Sequence, residues 1–314
     1  MAEWVKAAEM QLSLHRWLTS ELGRRWTRGW IDSAAGTEQE KRNMYEILTL
    51  VEEHKLLTAD AIWVSPEMCE IVQMAREGFK PEPLEREDFI TPTGFLYFAD
   101  PLYMQDRHGM TVSVGAISWC PAVMRSERED KPDMEGMAIT LYSSARAEGD
   151  QFTELHRRIM REWGAPELCY LHLTTTELGA VFDDGDNKDI DGRYTAADEW
   201  WKTIQVTLRM MQQRISYRTD ERAPRATRRR WQREAGVEPS EVLVITLRRP
   251  TVKHEQEHEG EPVNWTHRWI VDGHWRNQWY DSIKRHRQIW ISPFVKGPDD
   301  KDLVIKKRFF KWDR

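Results

Sequence analysis

Between Val263 and Gly297 the chain interleaves indoles with cations, and this is where its residue types could do chemistry. Arg276, Arg285, Arg287 and Lys296 could contact phosphates, since a guanidinium grips a phosphate through two parallel hydrogen bonds. Gln278 could read a base edge, and Trp279, with Trp275 or Trp290, could stack a base on its indole face. A histidine among such cations can move a proton during phosphodiester cleavage, so His274 would be the general acid/base if the protein were a metal-independent ribonuclease of the small toxin type. The same residues also describe a tryptophan-rich core edged by arginines that lie along the indoles. Both readings stand at this level.

Two metal motifs occur in poor surroundings. His254 to His258 read HEQEH, matching HExxH, but that chemistry needs a helix, and these residues lie between Pro250 and the breakers Gly260 and Pro262. A hairpin connection is the expectation, with no metal. Residues 187–198 reproduce a calcium-loop spacing through Asn187, Asp189, Asp191, Gly192 and Asp198. Asn stands first, the short Asp198 stands last, and Tyr194 fills the eighth position, so a solvated acidic loop capping a helix explains the same residues. No GxSxG elbow or phosphate-cradling GxxxxGK[ST] run is present, and no cofactor is expected.

Composition sets wider bounds. The 314 residues are 40% hydrophobic and 31% charged with a mean hydropathy of −0.72, and no apolar run approaches the ~18 residues that span a bilayer. Cys69, Cys120 and Cys169 are scattered, give no disulfide framework, and fit a reduced cytoplasm, as does an N-terminus without an apolar leader segment. The net charge of −6 hides an asymmetry: residues 201–314 hold 25 Lys and Arg against 15 Asp and Glu, so the first 200 residues are strongly acidic. A basic C-terminal part suggests a polyanion, nucleic acid first among them. The acidic part suggests instead a protein-binding module that acts on a host complex. Mutual attraction of the two parts would account for the same numbers.

The elements that must position these residues are legible in outline. Residues 3–22 read as an amphipathic helix with Gly23 as its C-cap. Thr37 and Glu40 form a capping box before a helix that faces Met44, Ile47, Leu48 and Val51 inward. Ser65, Pro66 and Glu67 start a third helix that ends at Gly78. Strands follow at 94–99, 111–119 and 137–142, then a helix at 151–163 and a strand at 168–174. From Thr195 a helix places Trp201, Ile204, Leu208, Met211 and Ile215 on one face, and a basic helix follows between Pro224 and Gly236. Four strand-like runs close the chain, at 241–248, 263–271, 288–291 and 303–310. The expectation is an α+β fold: a helical N-terminal part, a central antiparallel α+β unit, and C-terminal helices packed on an antiparallel sheet. Its division is an acidic region at 1–192 and a basic helix-plus-sheet region at 193–314.

The strings Gly273-His274-Trp275-Arg276-Asn277-Gln278, Trp290-Ile291-Ser292-Pro293 and Lys296-Gly297-Pro298 resemble the tail of hypothetical proteins from actinobacteria and actinobacterial phages. PTGFLYFADPL at 92–102 and GAISWCP at 115–121 are similar to earlier parts of the same family, so the resemblance covers most of residues 58–314. It implies a bacterial or phage cytoplasmic setting and no particular catalysis.

Overall fold

The computed structural model describes residues 2–33, 37–105, 110–124, 134–149, 153–179, 196–237, 241–248, 267–298 and 301–302. The HEQEH segment, most of the calcium-like loop, residues 263–266 and the run 303–310 lie outside them. The fold is α+β, as its alternation of periodic patterns predicts.

A seven-stranded sheet forms the centre. In chain order its strands are β1 (Asp60–Val64), β2 (Gly94–Gln105), β3 (Thr111–Met124), β4 (Met134–Ser144), β5 (Leu168–Glu177), β6 (Ser216–Glu221) and β7 (Val242–Leu247). Their spatial order is β5-β4-β3-β2-β1-β7-β6. β2 to β5 form an antiparallel meander, whereas β1 runs parallel to both its neighbours, β2 and β7. The run at 241–248 is thus a strand of the main sheet, and residues on both sides of position 192 supply strands to it.

Alternation along β1 and β2 divides the core. Ile62, Val64, Leu96 and Phe98 face one side, packing with α5 (Pro66–Ala75) and α7 (Ala196–Met211). Ala61, Trp63, Phe95 and Tyr97 face the other, beneath α1 (Val5–Thr19). Ser65 caps α5 by accepting from the Met68 N–H, and Pro66 fills its first turn as the sequence predicts. Trp201, Ile204, Leu208 and Met211 on α7 are all buried, each worth roughly 1.5–3 kcal/mol.

Gly23 departs from expectation. The C-cap of α1 is Ser20, whose hydroxyl accepts from the Gly23 N–H at 3.0 Å and so opens α2 (Glu21–Ser33). Gly23 sits inside that second helix, where a Cβ would lie 1.8 Å from the Trp17 carbonyl oxygen. It is there for close approach and not to end a helix.

The next helix carries the irregularity that shapes the interior. α3 (Glu38–Glu46) and α4 (Glu52–Thr58) are joined by a π-helical turn over Ile47–Val51. The extra residue turns the following face, so Val51 (39%) is exposed while Glu52 and Lys55 are buried. A 3.6-residue period had placed Val51 inward, and the π turn is why it is not.

The remaining elements are α6 (Thr153–Trp163), α8 (Arg225–Ala235) and four short strands. β9 (His274–Tyr280) and β10 (Arg285–Ile291) form a hairpin, and β8 (Trp269–Val271) pairs with β11 (Phe294–Lys296). No helix among the described residues is long and apolar enough to cross a membrane.

Candidate functional site

The π turn sets Glu52 above β3 and β4, and four side chains close on its carboxylate. Oε1 accepts from the Ser118 hydroxyl at 3.1 Å and from the Tyr142 phenol. Oε2 accepts from Thr140 at 2.8 Å and pairs with the Lys55 ammonium at 2.7 Å, and that ammonium also donates to Thr140. Burial, with the Glu52 charge beside it, holds the Tyr142 phenol well above its ordinary pKa. The cluster is neutral overall and spends its hydrogen bonds internally.

A cavity of about 330 Å³ opens beside it. Glu52 and Tyr142 belong to its lining, with Leu14, Trp17 and Leu18 from α1 and Trp26, Thr27 and Trp30 from α2. Its far side comes from α6 and the start of β5, including Leu155, His156, Cys169 and Tyr170. Trp30 meets Tyr170 edge-on at 5.2 Å and Trp26 lies 6.0 Å from Trp163, so α2 bridges the cavity on aromatic contacts. Burial pushes the Cys169 thiol up to about 11, which leaves it protonated and no nucleophile at neutral pH. Nothing in the sequence marked this site, because its charged pair sits on a helix whose apolar period points elsewhere.

The hairpin residues singled out in the sequence divide into two groups. Trp275 and Trp290 belong to the core: they meet edge-on at 5.5 Å, and the Trp275 indole N–H donates to the Ala75 carbonyl at 2.5 Å. Gln288 holds Lys80 by both backbone groups, donating to its carbonyl at 2.6 Å and accepting from its N–H at 3.2 Å. The hairpin is therefore a structural flap over residues 79–88. Trp290, 6% exposed, offers no stacking face to a ligand.

The cations on that hairpin have partners of their own. Arg285 pairs with Glu85 at 3.2 Å, and Arg287 lies 3.7 Å from Asp88, whose carboxylate also meets Arg209 at 3.0 Å. Arg276 and Gln278 stand on one face of β9 and bond each other at 3.1 Å. Trp279 is 46% exposed and packs against His286, while exposed His274 turns Nδ1 to the Asp272 carbonyl at 3.0 Å. Lys296 lies in the other strand pair, over the Trp269 ring at 5.9 Å.

A second cationic surface is formed by α8. Its inner face buries Thr227 and Trp231, and the Trp231 indole donates to the Ala8 carbonyl on α1 at 3.1 Å. Its outer face exposes Arg225, Arg229 and Arg233 at four-residue steps, and Arg222 is exposed in the connection that leads from β6 into the helix. Glu234, the helix's single acid, is shared by Arg16, Arg230 and Arg233 at 3.3–3.4 Å. Slight desolvation raises its carboxyl, but hydrogen bonds and charge from those arginines outweigh this and hold it below its ordinary value. No carboxylate among the described residues pairs with Arg222, Arg225 or Arg229.

Comparison with known proteins leaves the fold to be read on its own terms. No protein family and no curated protein matches the chain. The crystal structure of AcrVA2 aligns over 94% of this chain and 94% of its own, with 11% identity and a TM-score of 0.42.

Proposed function

We propose that the protein binds nucleic acid without sequence preference, through the outer face of α8. The arginine stripe carries this reading: Arg225, Arg229 and Arg233 span about 12 Å along the helix at 1.5 Å per residue, with exposed Arg222 in the connection just before it. Such an arrangement is costly to the protein alone. Like charges four residues apart each destabilise a helix by about 0.2–0.5 kcal/mol, and Arg225 adds positive charge at the positive end of the helix dipole. A row of phosphates offsets both penalties and accepts bidentate bonds from each guanidinium. Arg16, from the acidic first part of the chain, adds to the same surface through Glu234.

This reading keeps the basic C-terminal region as the binding element and moves the contact from the hairpin to the helix. Arg285 and Arg287 are already matched by carboxylates, whereas Arg225 and Arg229 on α8 pair with none among the described residues. The resemblance to actinobacterial and phage proteins is compatible with such a role. The test is a salt titration of binding to short duplex DNA and RNA. Three to four phosphate contacts give a log–log slope of about −3, and Arg225→Glu with Arg229→Glu should bring it toward about −1. Arg276→Glu on the hairpin should leave the slope unchanged. Absence of wild-type binding, or equal losses from helix and hairpin reversals, would reject the proposal.

A further inference from the structure

The cavity between α2, α6 and β5 makes no contribution to the arginine surface, and its chemistry differs. We infer that it seats one small, uncharged, bicyclic aromatic molecule of the indole or naphthalene class. Size sets the first limit. An apolar cavity near 150 Å³ holds a single benzene ring, so about 330 Å³ suits two fused rings.

Charge sets the second. Glu52 meets Lys55, Thr140, Ser118 and Tyr142, and the His156 ring nitrogen Nε2 lies 3.1 Å from the Pro166 carbonyl oxygen. Glu52, Tyr142 and His156 are therefore spent on the protein itself, and an ionic ligand would lose its water without gaining a counter-charge. Shape sets the third. Trp17, Trp26, Trp30, Tyr142 and Tyr170 present rings to the space, and aromatic edges and faces favour a planar guest over a flexible chain. Two large apolar side chains of the lining, Trp30 at 41% and Leu155 at 45%, also reach solvent and mark the mouth.

The π turn fixes the floor of this seat, because Leu48 within it and Glu52 directly after it both line the cavity. The probe is 6-propionyl-2-dimethylaminonaphthalene, a neutral fluorophore with two fused rings that brightens in apolar surroundings. Wild-type protein should give a saturable, one-to-one enhancement that indole displaces at a lower concentration than hexanol does. Thr27→Phe, which fills the cavity from α2, should abolish the enhancement. Trp30→Ala, at the 41%-exposed mouth, should weaken it at least tenfold while circular dichroism shows the protein still folded. Linear, unsaturable fluorescence overturns the inference, as does displacement by hexanol as readily as by indole. Unaltered binding in both folded variants overturns it too, since the probe would then sit elsewhere.

Discussion

Glu52 and Lys55, three residues apart on α4, meet at 2.7 Å with side chains only 2% and 1% exposed. Removing either partner strands the other charge in the interior. Glu52→Gln and Lys55→Met are each expected to cost about 3–5 kcal/mol, and the double variant much less than their sum. Urea unfolding of the four proteins checks this, and strict additivity would mean that the pair is not coupled.

The π turn predicts a break in the apolar pattern at Val51. Leu48 is 3% exposed and Val51 39%, although a 3.6-residue period sets both on one face. Leu48→Ala should cost about 2–5 kcal/mol and Val51→Ala less than about 1. Thermal unfolding separates the two outcomes.

His15 gives a pH signature. Burial depresses its pKa, Glu53 partly opposing, and both ring nitrogens are buried without a hydrogen-bond partner among the described residues. A lowered histidine leaves stability intact above the ordinary value of 6.5 and loses it as pH falls further, because the unfolded chain then takes up a proton that the folded one refuses. As pH falls below about 6.5 the unfolding midpoint should fall more steeply in the wild type than in His15→Leu. Parallel slopes would remove His15 as the cause.

Asp88 separates structure from binding on the hairpin side. Its carboxylate, 3% exposed, is 3.0 Å from Arg209 and 3.7 Å from Arg287. Arg209→Ala should destabilise by about 3–5 kcal/mol because Arg209 is itself 8% exposed and also pairs with Glu82. Arg287→Ala should cost about 1 kcal/mol and leave the salt dependence of nucleic-acid binding unchanged. A reduced slope in Arg287→Ala would return the phosphate contact to the hairpin.

Local signals in the sequence are legible where they are self-contained. Ser65 and Pro66 announce α5, and the stripe from Trp201 to Met211 announces α7, because caps and periodicity act within one element. β1 escaped notice: at five residues, with four of them buried, it shows no alternation between wet and dry faces. The polar floor of the cavity escaped notice because a π turn is not written in a 3.6-residue period. Pairing of Arg285 with Glu85 and of Arg287 with Asp88 joins residues about two hundred positions apart, a distance at which charge patterning is silent.

The parallel pairing of β1 with β7 sets a timetable for the nascent chain. Ala61 and Val242 pair in the middle of the sheet, yet 181 positions separate them, a delay of roughly 10–35 s at about 5–20 residues per second of translation. Through that interval the meander β2–β5 can assemble, leaving one flank of β1 as an apolar strand edge without a partner. Such an edge recruits holding chaperones or other chains before it recruits β7. Yield in a cell should therefore depend on elongation speed and chaperone supply more than on the stability of the finished molecule, and truncation before Val242 should produce aggregate and not a smaller soluble domain.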